Sequence, residues 1–151
     1  MTKSTFKYEI YIASTPAKVW KALLEGEFTR QYWSHTNVSD WKVGSEWEHH
    51  PTDEARGVAI VGQVLEATAP HRLIITWADP QHRGDRARHS RVSFLIEPIA
   101  DMVRLTITHD ELESGSDMQR KVSAGWPRVL SSLKSLLETG RALDTWAKPK
   151  I

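Results

Sequence analysis

The chain contains no cysteine among its 151 residues. This absence excludes a disulfide framework, a thiol nucleophile and any zinc site with cysteine ligands. The chain also lacks an apolar run of ~18 residues, so we expect no membrane-spanning helix. Its first residues contain no apolar stretch that ends in a small-residue cleavage site, so we expect no signal peptide and a cytoplasmic location.

Neither sign of charge is in excess. The 20 lysines and arginines stand against 19 aspartates and glutamates, which gives a formal net charge of +1. So small an imbalance does not favour nucleic acid as a partner. Arginines cluster in residues 82–91, but the interleaved aromatic residues of a nucleic-acid surface are missing there. We interpret this segment as a solvated hairpin tip that could gate a ligand entrance.

Motifs for several reaction classes are absent as well. The chain has no glycine-flanked serine elbow, and no glycine-rich phosphate loop follows a predicted strand, which argues against nucleophilic and nucleotide chemistry. His49 and His50 are adjacent in a predicted strand, so their side chains point to opposite faces and cannot readily chelate one ion. We therefore expect no metal, no cofactor and no assigned catalytic residue.

Tryptophan, by contrast, is abundant, with seven residues in the chain. The patterning of the predicted elements turns five of them inward: Trp20, Trp33, Trp47, Trp77 and Trp126. An indole buries a large apolar area but carries an N–H group that requires a hydrogen-bond partner. Several converging indoles therefore line a cavity better than they fill a core. The alternative is that these residues are ordinary core aromatics.

The middle of the chain is predicted to form strands. Alternating or β-branched residues mark six segments, at residues 6–13, 42–50, 57–66, 72–77, 89–97 and 102–109. In the second segment the alternation places Val43, Trp47 and His49 on one face. The connections between consecutive strands are too short for parallel crossovers, so we expect an antiparallel meander.

Two short helices are expected after the first strand. Ser14 and Thr15 before Pro16 predict a helix start, because a hydroxyl caps the helix and proline suits its first position. Gly26 is expected to close this helix, with a second short helix at residues 27–33.

One long helix is predicted near the end of the chain. From Ser116 to Gly140, apolar residues recur at spacings of three and four, which indicates an amphipathic helix. Pro127 lies inside it, so we expect a kink there or a helix that effectively starts near Ser123. Residues 141–151 are expected to be loose. The length fits one domain, residues 1–151, with its core at about residues 6–140.

Several segments resemble a known superfamily. Three resemble the start of the helix-grip superfamily that includes START lipid-transfer domains and the birch-pollen allergen, namely residues 12–23 (IASTPAKVWKAL), 32–33 (YW) and 43–47 (VGSEW). Five more resemble its bacterial subfamily related to the C-terminal domain of the heat-shock-protein-90 ATPase activator: residues 62–66 (GQVLE), 70–77 (PHRLIITW), 93–98 (SFLIEP), 105–109 (LTITH) and 125–126 (GW). The resemblance covers residues 8–140.

The resemblance implies an α+β helix-grip fold. A curved antiparallel sheet of six to seven strands would wrap around the long C-terminal helix and leave a cavity between them. Members of the superfamily bind lipids, sterols, polyketides or aromatic small molecules, so we expect a small hydrophobic or aromatic ligand. The residues that we expect to line the site are Trp33, Trp47, Trp77, Phe94, His109, Trp126 and Leu130.

Two alternatives to simple ligand binding stay open. The first is a co-chaperone-like module with a heat-shock ATPase as its protein partner. The second is a cyclase or hydrolase in which His109 acts as a general acid and base, since it shares a face with Leu105 and Ile107. His109 could equally be a histidine that is satisfied by internal partners. The candidate carboxylates Glu46, Glu48 and Glu97 all have outward parity, which weakens the enzyme hypothesis.

Overall fold

The computed structural model describes residues 2–150. In chain order, the strands are β1 (Lys3–Ile12), β2 (His35–Val38), β3 (Glu46–Pro51), β4 (Ile60–Thr68), β5 (Arg72–Trp77), β6 (Ser90–Ile99) and β7 (Met102–Glu113). The helices are α1 (Pro16–Leu24), α2 (Gly26–Tyr32) and α3 (Asp117–Thr139). Within residues 2–150, no helix is long and apolar enough to cross a bilayer. The cytoplasmic location stays a prediction.

The strands form a single antiparallel sheet in the order β1-β7-β6-β5-β4-β3-β2. From β2 to β7 each strand pairs with the next one in the sequence, and β1 adds to the far side of β7. This arrangement confirms the antiparallel meander. The pairing of β1 with β7 and that of β4 with β5 each contain a register shift, and such irregularities bend a sheet. The architecture is the expected α+β helix-grip fold.

The core lies between one face of the sheet and α3. The buried residues of α3 recur at the helical period: Val122, Trp126, Val129, Leu130 and Leu133. They meet the inward residues of the central strands, among them Leu73, Ile75, Phe94, Leu105 and Ile107. This contact closes one half of the sheet against the helix and leaves the other half, toward β2, less filled.

Gly26 opens α2, and the prediction that it closes α1 was wrong. The backbone N–H of Glu25 ends α1 by donating to the Lys21 carbonyl. A Cβ atom at position 26 would collide with the Thr36 side chain of β2. Glycine is therefore required here by the close approach of α2 to β2, and not by a helix cap.

β3 begins at Glu46, four residues later than predicted. Gly44 has a φ of +93°, and the Ser45 N–H donates to the Lys42 carbonyl, so this segment is a turn. Val43 is 67% exposed instead of facing inward. From Glu46 onward the predicted alternation holds, and Trp47 and His49 are both buried.

α3 is continuous through Pro127, so the predicted start near Ser123 was wrong. Its N-cap is Ser116, whose hydroxyl accepts from the Gln119 N–H, and it ends at Gly140 with a φ of +81°. A proline inside a helix costs about 3 kcal/mol. The apolar residues that α3 buries on both sides of Pro127 offset this loss, because tertiary packing stabilises helices more than local propensity does.

Residues 141–146, which the sequence predicts to be loose, hydrogen-bond with α3. The Leu143 backbone N–H donates to the Ser132 hydroxyl, and that hydroxyl donates to the Leu143 carbonyl. Farther along, the Thr145 hydroxyl donates to the Arg128 carbonyl, and the Arg128 guanidinium lies 4.5 Å from the centre of the Trp146 ring. These contacts hold the segment against α3.

Candidate ligand-binding cavity

A cavity of about 640 Å³ lies between α3 and the β2–β5 half of the sheet. This volume is within the range of small-molecule sites and above their lower end of about 300 Å³. Its walls come from the end of α2, from β2, β3 and β5, and from α3 and the segment that follows it. The site thus forms where the sheet and α3 diverge.

Three tryptophans, Trp33, Trp77 and Trp126, form the aromatic wall of the cavity, and we call them the tryptophan triad. Trp33 caps the C-terminus of α2, Trp77 ends β5 and Trp126 lies in α3. The centre of the Trp33 ring lies 5.4 Å from that of Trp126 and 6.3 Å from that of Trp77, and the last two rings are 5.6 Å apart. All three are among the site residues that the sequence predicts.

His49 extends this wall along β3. The centre of its ring lies 4.7 Å from that of Trp33 and 5.7 Å from that of Trp77. On its other side the His35 ring stacks in parallel at 4.1 Å. Burial holds the pKa of His49 well below its usual value, and the charges of His35 and His50 lower this pKa further. His49 is therefore neutral at pH 7.

Asn37 of β2 determines the tautomer of His49. The Asn37 amide nitrogen donates to the Leu23 carbonyl, so its oxygen faces His49 and accepts from Nδ1 at 2.5 Å. The Asn37 backbone N–H donates in turn to the Thr29 hydroxyl, which fixes the strand to α2. The proton of the neutral imidazole is thereby assigned to Nδ1 by its hydrogen bonds, and Nε2 carries a lone pair.

His109 does not line the cavity. It is fully buried behind the triad, where the Trp126 indole N–H donates to its Nδ1 at 3.1 Å. Its Nε2 donates to the Ser90 hydroxyl at 2.8 Å, and that hydroxyl donates to the Trp77 carbonyl. Burial lowers the pKa of His109 to about 3. Both ring nitrogens thus form hydrogen bonds within the protein, and through them His109 positions two members of the triad. Neither nitrogen is free to accept a proton from a ligand.

Trp47, Phe94 and Leu130 also lie behind the cavity wall. The Trp47 indole N–H donates to the Thr76 carbonyl at 2.8 Å, and a Cβ on Gly62 would collide with both groups. Phe94 meets the Trp126 ring edge-on at 5.8 Å. Leu130 is fully buried on α3. These residues support the triad, and of the seven candidate site residues the three tryptophans of the triad face the open volume.

Other residues of the cavity wall were not named as site residues from the sequence. His49 could have been found, because strand parity places it on the same face as Trp47. Gly125 of α3 also lines the cavity, and no atom lies within 4 Å of the position that its Cβ would occupy. The missing side chain at this position leaves part of the volume open.

The charges at the cavity mouth balance. Arg56 and Lys121 contribute two cations, whereas Asp79 and Asp144 contribute two anions. Trp146, which is 56% exposed, lies at the same rim. A balanced rim gives no electrostatic preference for a charged ligand of either sign.

The carboxylates considered for catalysis belong to the outer face of the sheet. Glu48 accepts from Arg83 at 2.9 Å and pairs with His50 at 2.8 Å, and Glu97 accepts from Arg104 at 3.1 Å. These contacts agree with the predicted outward parity. Over residues 2–150, no cluster of three histidine or acidic side chains is suited to hold a metal ion.

The structure resembles solved proteins of low sequence identity. It is similar to the Aha1 dimer from Colwellia psychrerythraea, with a TM-score of 0.77 and 19% identity over 92% of this chain and 99% of that chain. It is also similar to an HSP90 activator from Plasmodium falciparum, with a TM-score of 0.72 and 18% identity over 88% of this chain and 95% of that chain. Such identities show a shared fold alone.

A third similar structure is DynU16, a protein of the dynemicin biosynthetic locus, with a TM-score of 0.71. The identity is 17%, and the match covers 91% of this chain and 48% of that chain. Among curated protein sequences, none matches this chain. The profile of one family, described as Activator of Hsp90 ATPase homolog 1-like protein, matches residues 13–138. Because this match spans most of the sequence, the chain belongs to the Activator of Hsp90 ATPase homolog 1-like family.

Proposed function

We propose that the protein binds a small hydrophobic or aromatic molecule in the cavity between the sheet and α3. The observation that carries this proposal is the tryptophan triad on the wall of a cavity of about 640 Å³. Ring faces and edges suit flat, unsaturated ligands, because offset and edge-to-face contacts between aromatic groups are favourable. The balanced charges at the mouth favour an uncharged ligand over an ion.

Gly125 provides a direct test. A leucine at this position would project into the cavity, where nothing lies within 4 Å of the Cβ position. Ala124 precedes it on the exposed side of α3, so Ala124→Leu is a matched control that adds a leucine outside the cavity. The probe is N-phenyl-1-naphthylamine, whose fluorescence rises when it enters an apolar site.

The expected result is saturable binding to the natural chain with a dissociation constant in the micromolar range. Gly125→Leu should weaken binding roughly tenfold or more, because the probe and the leucine compete for one volume. Ala124→Leu should leave the affinity unchanged, and urea unfolding of both variants checks that they fold. Equal binding by all three proteins would place the probe elsewhere and remove the proposal.

A second candidate function is contact with a heat-shock ATPase. The family description and the HSP90 activator among the similar structures favour it. The test is the rate of ATP hydrolysis by the Hsp90 homologue of the same organism, with and without saturating protein, together with analytical ultracentrifugation of the mixture. Stimulation and a co-sedimenting complex would support a co-chaperone role. An unchanged rate without a complex would leave ligand binding as the function to pursue.

A further inference from the structure

Two polar atoms, each in a buried residue of the cavity wall, have no hydrogen-bond partner in the part of the chain that the structure describes. One is the Trp77 indole N–H, although this residue is only 6% exposed. The other is Nε2 of His49, a residue that is 3% exposed and whose hydrogen bond to Asn37 uses Nδ1 alone. Polar groups of buried residues almost always find partners, so an unpaired donor and an unpaired acceptor on one cavity wall point to a missing occupant.

The other buried indoles show that this situation is specific to Trp77. The Trp47 N–H donates to the Thr76 carbonyl at 2.8 Å, and the Trp126 N–H donates to His109 at 3.1 Å. Both satisfied indoles donate into the protein core. The unsatisfied one belongs to a ring that lines the cavity.

The two free atoms are complementary. Trp77 offers a donor, and His49 offers an acceptor, because its proton is held on Nδ1 by Asn37. The centres of the two rings lie 5.7 Å apart. The two rings are therefore neighbours on one wall, and one aromatic ligand can lie against both.

Resting on the proposed function, we infer that the ligand is an aromatic alcohol of the phenol type. Its hydroxyl would donate to His49 Nε2 while the same oxygen accepts from the Trp77 N–H, and its ring would lie against the tryptophan triad. A hydrocarbon would leave the indole N–H and the imidazole Nε2 unpaired. A carboxylate has no proton for Nε2, and an ammonium ion has no lone pair for the indole.

The experiment compares three naphthalenes of similar size as competitors of N-phenyl-1-naphthylamine at pH 7. 2-Naphthol carries the hydroxyl, 2-methylnaphthalene replaces it with a methyl group, and 2-naphthoate replaces it with a charge. We expect 2-naphthol to compete roughly tenfold better than 2-methylnaphthalene, and 2-naphthoate to be the weakest. This comparison uses the natural chain and does not depend on the folding of any variant.

Trp77→Phe then tests the donor, since it keeps an aromatic ring and deletes the N–H. The preference for 2-naphthol over 2-methylnaphthalene should fall by roughly threefold to tenfold, and this ratio cancels any loss of ring contact that the two compounds share. Trp41→Phe is the control, because Trp41 is partly buried and lies outside the cavity lining. Urea unfolding shows whether each variant is folded.

The outcomes separate this inference from the proposed function. If none of the three compounds competes and the reporter itself does not bind, the proposed function fails. If 2-naphthol and 2-methylnaphthalene compete equally, the cavity binds aromatics without using the polar pair, and the inference alone is wrong. A preference that survives unchanged in Trp77→Phe would also overturn it, since the hydroxyl would then bind without the indole N–H.

Discussion

His109 and His49 occupy comparable places with different consequences. Both are buried, and both rings pack against Trp77, at 5.6 Å and 5.7 Å between ring centres. His109 lies in the closed half of the molecule, where α3 packs directly against the sheet. It uses both nitrogens for hydrogen bonds, to Trp126 and Ser90. His49 lies in the open half, where the cavity separates α3 from the sheet, and it uses one nitrogen. What distinguishes a candidate binding group from a structural group is therefore the hydrogen-bonding capacity that the fold leaves unused.

The largest effect should come from removing His109. The change His109→Ala leaves the Trp126 N–H and the Ser90 hydroxyl without their partner and creates a cavity in the packed half, so it should lower the free energy of unfolding by about 3 kcal/mol. The change His49→Ala enlarges an existing cavity and leaves the side-chain oxygen of Asn37 without its partner. The free energy of unfolding should therefore fall by about 1–2 kcal/mol. Urea unfolding measures both. Equal losses would contradict the division into a closed and an open half.

The pH dependence of stability should show the buried neutral state of His109. Its pKa is about 3 in the folded protein and about 6.5 when unfolded. Between pH 6.5 and 3 the unfolded chain therefore binds a proton at His109 and the folded chain does not. The free energy of unfolding has its full value above pH 6.5 and falls as the pH drops toward 3. The slope for one such group is about 1.4 kcal/mol per pH unit.

The matching measurement is urea unfolding of the natural chain and of His109→Gln between pH 7.5 and 5. The stability of the natural chain should fall by about 2 kcal/mol more than that of the variant over this range, since glutamine does not titrate. His49 contributes in the same direction in both proteins, because its pKa is lowered as well. Parallel pH profiles would mean that His109 takes up its proton over the same pH range in the folded and unfolded chain, and that burial does not lower its pKa.

The smallest effects are expected at two glycines, Gly125 inside α3 and Gly140, which caps its C-terminus. The change Gly125→Ala should raise the free energy of unfolding by about 0.5–1 kcal/mol, because alanine favours the helix and the cavity has room for its methyl group. The change Gly140→Ala should lower it by about 1 kcal/mol, because the φ of +81° at the helix end strains any other residue. Destabilisation by Gly125→Ala would show that the space beside Gly125 is filled.

Much of the fold could be predicted because its signals are local. The alternation in β1 and β3 and the helical period of α3 each reflect burial of one face, and hydroxyl caps and glycine mark the helix ends. β2 was missed, since its four residues, His35 to Val38, are mostly polar and show no alternation. The role of Gly26 was misjudged for a related reason, because the contact that requires glycine is made with β2.

The site was predictable in part. The tryptophan triad follows from parity and helical phase, which are properties of single elements. The free nitrogen of His49 could not be predicted in this way, because it depends on Asn37 in a neighbouring strand and on the Leu23 carbonyl in a helix. His109 shows the converse, since its place on the inner face was clear but its two partners, from β6 and α3, were not. Hydrogen-bond satisfaction is a property of the assembled fold.

The central claim is that His49 presents an unprotonated Nε2 to the cavity, whereas His109 has no free nitrogen. Long-range ¹⁵N–¹H NMR of the imidazoles at pH 7, before and after addition of 2-naphthol, tests it most directly. The prediction is an Nδ1–H tautomer for His49 and an Nε2–H tautomer for His109, with a shift on 2-naphthol binding at the His49 Nε2 signal alone. An Nε2–H tautomer for His49, or a shift confined to His109, would contradict the account.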